Sequence, residues 1–150
     1  MKHFLTTLII IAASTTLSFG QLHFGAGLSF VTLDNLGVQG KVIVDLEGKT
    51  DQPIEGVGSF TYVFIDDATA WAIDLDAHYR LLTIGDDIEL DPIAGFQIAR
   101  VSAFGFGNSD LGFNLGGHLT IPLSSFTAYV QPKLTFGGFD GFTLSAGIIF

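Results

Sequence analysis

From Trp71 to Leu81 the chain alternates strictly: Trp71, Ile73, Leu75, Ala77, Tyr79 and Leu81 share one side, while Ala72, Asp74, Asp76, His78 and Arg80 share the other. A period of two sets successive side chains on opposite faces of a β-strand, and no stripe of apolar positions three and four apart offers a helix instead. The same alternation runs through the last segment, where Phe142, Leu144, Ala146, Ile148 and Phe150 oppose Thr143, Ser145, Gly147 and Ile149. It recurs around Leu22–Phe30, Lys41–Glu47, Phe60–Phe64, Leu90–Ile98, Leu111–Ile121 and Phe126–Phe136, which makes eight candidate strands. Turn-rich stretches separate them: DNLGVQG, EGKTDQPIEG, DDAT, TIGDD, VSAFGFGNSD, PLSS and GGFDG. An even number of strands joined by such connections predicts an all-β, eight-stranded antiparallel up-and-down transmembrane β-barrel, with both termini at one end.

Ahead of the first strand stands MKHFLTTLIIIAASTTLSFGQ, with Lys2 and His3, then an apolar run to Leu17, then small residues around Phe19. This is the layout of a secretory signal peptide over residues 1–20, cleaved between Gly20 and Gln21, which leaves residues 21–150 as the barrel domain. The run is shorter than a spanning helix and is interrupted by Thr6, Thr7, Ser14, Thr15 and Thr16, which argues against a retained anchor.

The chain is 48% hydrophobic, with a mean hydropathy of +0.52. After Gly20 it has no apolar stretch of about 20 residues, so a membrane-crossing mature part would cross with strands closed on themselves. With no cysteine, neither disulfides nor a lipidated cysteine supports an exported domain. Setting Lys2 aside leaves five basic against 15 acidic side chains, a net of −10, which repels nucleic acid.

A soluble sandwich also has one apolar face per strand, so alternation alone does not place the chain in a bilayer. Two further features do. Gly25, Gly27, Ser29, Gly95, Gly112, Gly116, Ser145 and Gly147 oppose the large side chains, as a narrow lumen inside an apolar wall demands. The aromatic residues also fall into two belts: Phe24, Phe60, Tyr79, Phe126 and Phe150 near the end with the termini, and Phe30, Phe64, Trp71, Phe136 and Phe142 near the other.

The signal peptide, the eight short amphipathic strands and the closing TLSAGIIF together resemble the small outer-membrane β-barrel family of OmpX-like and OmpA-like barrels. The resemblance implies export to the outer membrane of a two-membrane bacterium, contact with outer-membrane lipids, and a terminal Phe150 read by the barrel-assembly machinery. Its members include adhesins, lipid-modifying enzymes and structural proteins, so it selects no activity. Pro132, in the middle of the seventh predicted strand, removes a ladder donor where a closed barrel has no free edge, and a bulge or locally broken ladder is expected there.

The polar face carries Lys41, Asp45, Glu47, Asp74, Asp76, His78, Arg80, Glu89, Asp91, Gln97, Asn114, His118, Gln131 and Lys133. Buried charges must be paired, so these are read as a structural lumen network with Arg80 and Lys133 as cationic centres and Asp45, Glu47, Asp74 and Asp76 as their partners. Asp74, Asp76 and His78 at two-residue spacing specify no complete ligand set, and no Ser, His and acid triplet is fixed by spacing. No catalytic, cofactor-binding or metal-binding residue is therefore assigned. The expectation is a non-enzymatic outer-membrane barrel, structural or surface-interacting, without an open pore. A soluble exported binding module and, less favoured, a lipid-modifying enzyme are its rivals.

Overall fold

The computed structural model describes residues 22–46, 52–85, 88–104 and 106–150; the predicted signal peptide and Glu47 lie outside them. Nine strands occupy the described residues: β1 (Leu22–Val31), β2 (Asn35–Asp45), β3 (Ile54–Ile65), β4 (Ala68–Tyr79), β5 (Leu82–Ile84), β6 (Ile88–Ala103), β7 (Phe106–Pro122), β8 (Thr127–Gly137) and β9 (Gly141–Ile149). Every pairing is antiparallel, sequence neighbours pair in turn except β4 and β5, which both pair with β6, and β9 pairs back with β1 to close the barrel. Eight long strands form the wall. The three-residue β5 continues β4 along the edge of β6 after a one-residue slip: His78 faces Ile93, whereas Leu82 faces Leu90. Pro92, which has no N–H to donate, sits opposite that slip.

The register fixes the shape of the barrel. From Leu22 the pairing leads through Val44, Gly56, Ala77, Ala94, Leu115 and Leu134 to Phe142, the residue before Thr143, whose partner on β1 is Val31. One circuit thus climbs from the level of residue 22 to that of residue 32, a stagger of ten. For eight strands this tilts each by roughly 40° from the barrel axis. When the stagger is shared evenly around the wall, the strand ends at the terminus side lie nearly level. The other end is slanted: the β6–β7 hairpin rises roughly 15 Å above β1 and β9.

Burial alternates along the strands with the polar residues inside. Ser29, Gln39, Lys41, Asp74, Asp76, His118, Gln131 and Lys133 are buried, while Phe24, Leu28, Phe60, Leu75, Phe96 and Leu134 are exposed on the outer wall. The small inner residues have a steric purpose. Gly27 and Gly147 face each other across β1 and β9, and a Cβ on either would collide with the buried ring of Tyr129. Only the missing side chains leave room for that phenol inside an eight-stranded lumen.

Several sequence expectations change. Leu36–Gly40, expected in an outer connection, belongs to β2; its alternation of Leu36 and Val38 with Gly37 and Gln39 is strand-like, and its glycines disguise it. Val101–Ala103 and Phe106–Asp110, expected in a loop, belong to the strands β6 and β7. Phe60 lies in the middle of β3 with its ring 6.2 Å from Trp71, so it sits toward the far belt and not the terminus-side one. β8 is one continuous strand through Pro132. Its ladder to β7 is broken there without a bulge: pairs flank the gap from Gly116↔Lys133 to Leu119↔Val130 in unchanged register. The two missing pairs both need one hydrogen bond, from the N–H of residue 132 to the Gly117 carbonyl, and proline cannot supply it.

Candidate functional site: the barrel interior

The lumen is stacked in layers. At the centre stands Asp74, 2% exposed, delivered by the alternation of β4. Its Oδ1 accepts from Lys133 Nζ at 2.7 Å, Asn114 Nδ2 at 2.9 Å and Gln97 Nε2 at 3.0 Å, and its Oδ2 accepts from Ser59 Oγ at 3.2 Å. Asp76, one step along the same face, accepts from the same Asn114 amide at 2.9 Å and lies 3.6 Å from Lys133. Asn114 in turn accepts from Thr135 Oγ1 at 2.9 Å. Four donors on one carboxylate and a cation between two acids meet the condition under which charge can be buried.

Lys41 reaches the same layer differently. Its Nζ donates to Gln131 Oε1 at 2.6 Å and lies 3.7 Å from the Tyr129 ring centroid, a cation–π contact. The Tyr129 hydroxyl donates to Gln39 at 3.1 Å, and Ser29 and Ser145 share a hydrogen bond at 2.7 Å across β1 and β9. At the far mouth, the β8–β9 turn folds Phe139 over Val31, Val63 and Ala70, and the Phe139 N–H donates to Gln97 Oε1 at 2.8 Å.

Toward the terminus end, His78, His118 and Tyr129 stack, with ring centroids 4.6 and 5.5 Å apart in sequence. At the rim Arg80 Nη2 bonds Glu55 at 2.7 Å and Asp45 at 3.1 Å, and these bonds, Glu55's foremost, hold its guanidinium above the ordinary arginine range. Glu55 was missed in the sequence because EGKTDQPIEG reads as a connection, although Glu55 belongs to β3 and pairs with Asp45.

The named lumen residues within the described residues thus form three groups. Lys41, Asp74, Asp76 and Lys133 share the central layer, Asp45 and Arg80 the rim, and His78 and His118 lie between. Asp74 and Asp76 turn to Lys133 and Asn114 and not to His78, so the three do not combine as ligands. His118 and Thr120 both point inward on β7. Ser29 is engaged with Ser145 well up β1 from His23, so no nucleophile, base and acid come together there. Phe150, 64% exposed, is tied to the wall by its N–H to the Phe24 carbonyl at 2.8 Å.

Against solved structures, the chain resembles the N-terminal β-barrel domain of Pseudomonas aeruginosa OprF, with a TM-score of 0.62, 20% identity, and coverage of 86% of this chain and 96% of that one. The fold is that of a small outer-membrane barrel. Ail, the attachment invasion locus protein of Yersinia pestis, is also similar, at a TM-score of 0.47 and 18% identity over 86% of this chain and 96% of that one. No protein-family model and no curated protein sequence matches. At this identity the likeness concerns architecture: a closed, eight-stranded antiparallel barrel whose strand ladder this chain fills with its own lumen chemistry.

Proposed function

We propose that the protein is a non-enzymatic integral protein of the bacterial outer membrane, structural or surface-interacting, without an open pore. The observation that carries this reading is the inverted burial: charged and amide side chains inside, and an outer surface dominated by exposed Leu, Val, Ile and Phe. In water such an outer wall would be an aggregation surface, whereas in lipid it is the required one. The two aromatic belts support it: with the strand tilt above they stand roughly 20 Å apart, close to the apolar band of such barrels. The N-terminal segment is the export signal in this reading, and Phe150 is the residue the assembly machinery reads.

The Asp74–Lys133 ion pair across the lumen and the Phe139 turn over the far mouth support the closed-barrel reading. Surface interaction draws support from the rising β6–β7 hairpin. β7 gains a partner on β8 only from Gly112 onward, so Phe106–Leu111 presents a free edge beside Phe104, which is 87% exposed. The rival enzyme reading has no comparable support, because the histidines face the lumen and not the lipid.

Electrophoresis of washed membranes with and without boiling tests the proposal. A chain that stays with the membrane after carbonate and urea washing and migrates faster unboiled is the expected result. Release into the soluble fraction with no mobility shift would sink it.

A further inference from the structure

Beneath the Tyr129 layer, the lumen opens at the terminus end into a cavity of about 170 Å³ whose lining includes Glu89, Asp91, His118 and Thr120, with Ile43 and Ile149 as apolar walls. Asp91 on β6 and His118 on β7 are register partners, 2% and 1% exposed. Asp91 Oδ2 stands 3.9 Å from His118 Nδ1, beyond hydrogen-bond range. Asp91 Oδ1, both nitrogens of His118 and both nitrogens of His78 have no hydrogen-bond partner. Asp91 and His118 line the cavity and His78 lies behind them, and a buried polar group without a partner is costly, so the unpartnered atoms of Asp91 and His118 mark a place for a ligand.

The chemistry of that partner follows from charge and shape. Glu89 adds a second carboxylate, whose contact is Thr120 Oγ1 at 3.5 Å, and neither Glu89 nor Asp91 is paired with a lysine or arginine among the described residues. Asp91 accepts a hydrogen bond from the Leu81 backbone and feels the Arg80 charge at the rim, but no cation stands within ion-pair distance of Asp91 or Glu89 among the described residues, and water would leave both acids without one. Among the described residues no three His, Asp or Glu side chains are grouped to hold a metal ion. What fits spread acceptors with apolar walls is a cation whose N–H donors are carried on a short hydrocarbon body. We infer that this cavity binds a small protonated organic amine, its ammonium group donating to Asp91 and Glu89 and to an imidazole nitrogen of His118. The Tyr129 and Lys41 layer makes the cavity a dead end, so the amine is held and not conducted.

Calorimetric titration of the detergent-purified full barrel with putrescine and spermidine, alongside zinc and magnesium chlorides, tests this. The expected result is saturable one-to-one amine binding, weakened about tenfold or more by Asp91→Asn and by the rim variant Glu89→Gln. Asp110→Asn, which removes the same charge at the far rim, should leave binding unchanged. Variant folding is checked by the boiling-dependent gel shift, and Glu89→Gln, at a half-buried position, keeps the test open should Asp91→Asn fail to fold. Absence of saturation, equal loss in Asp110→Asn, or metal binding in place of amine would each overturn the inference.

Discussion

At the scale of single residues, the interior depends on matching each buried charge. Lys133→Met removes the cation between Asp74 and Asp76 and leaves two carboxylates buried, a change expected to cost about 3–5 kcal/mol. Urea unfolding of the barrel in lipid vesicles measures this, and an unchanged midpoint would show that the pair contributes little. Gly147→Val should also destabilise, because its side chain would invade the space of the Tyr129 ring and the β1 backbone. Much of this was legible in the sequence: the alternation of β4 places Asp74 and Asp76 inside, and Lys133 appears opposite in the same way. The specific partners were not. Alternation puts Asn114 on the inner face, but its bridging of Asp74 and Asp76, and the place of Glu55 beside Arg80, follow only from which strands neighbour which and in what register.

At the scale of elements, proline sets the weak points of the wall. Pro92, Gly117 and Pro132 form a row across β6, β7 and β8, with the Gly117 carbonyl lacking its ladder donor from Pro132. Pro132→Val restores an N–H at an outward-facing, exposed position, and should stabilise the barrel by about 0.5–1.5 kcal/mol. A protected new amide at residue 132 and slower exchange at its β7 neighbours would accompany the gain, and no gain would show that the strands cannot close the gap. The periodicity located eight strands because one face of each is large and apolar. It shortened β2, β6 and β7 because glycine-rich or two-sidedly exposed ladder looks like turn to any reading based on side-chain contrast. The tip around Phe104, whose φ of 52° is costly for a side chain of that size, gives no apolar alternation to read.

At the scale of the molecule, the closing strand decides whether there is a barrel at all. β9 pairs with both β8 and β1, and Phe150 ends it with a bond to Phe24. Phe150→Ser or its deletion should therefore reduce the heat-modifiable form in membranes, and normal assembly of that variant would count against Phe150 as an assembly signal. The purified barrel in a planar bilayer should show no sustained conductance; steady ohmic channels would contradict the closed lumen. The Phe139 turn has a consequence of its own. It seats an aromatic stopper in the slanted mouth while the level mouth stays open to His118, so the barrel is a cup with a single lip. In the proposed orientation that lip faces the cell, and the two aqueous sides are chemically unequal: a carboxyl-directed reagent applied to intact cells should leave Glu89 untouched, and the same reagent admitted to the periplasm should reach it at the cavity mouth.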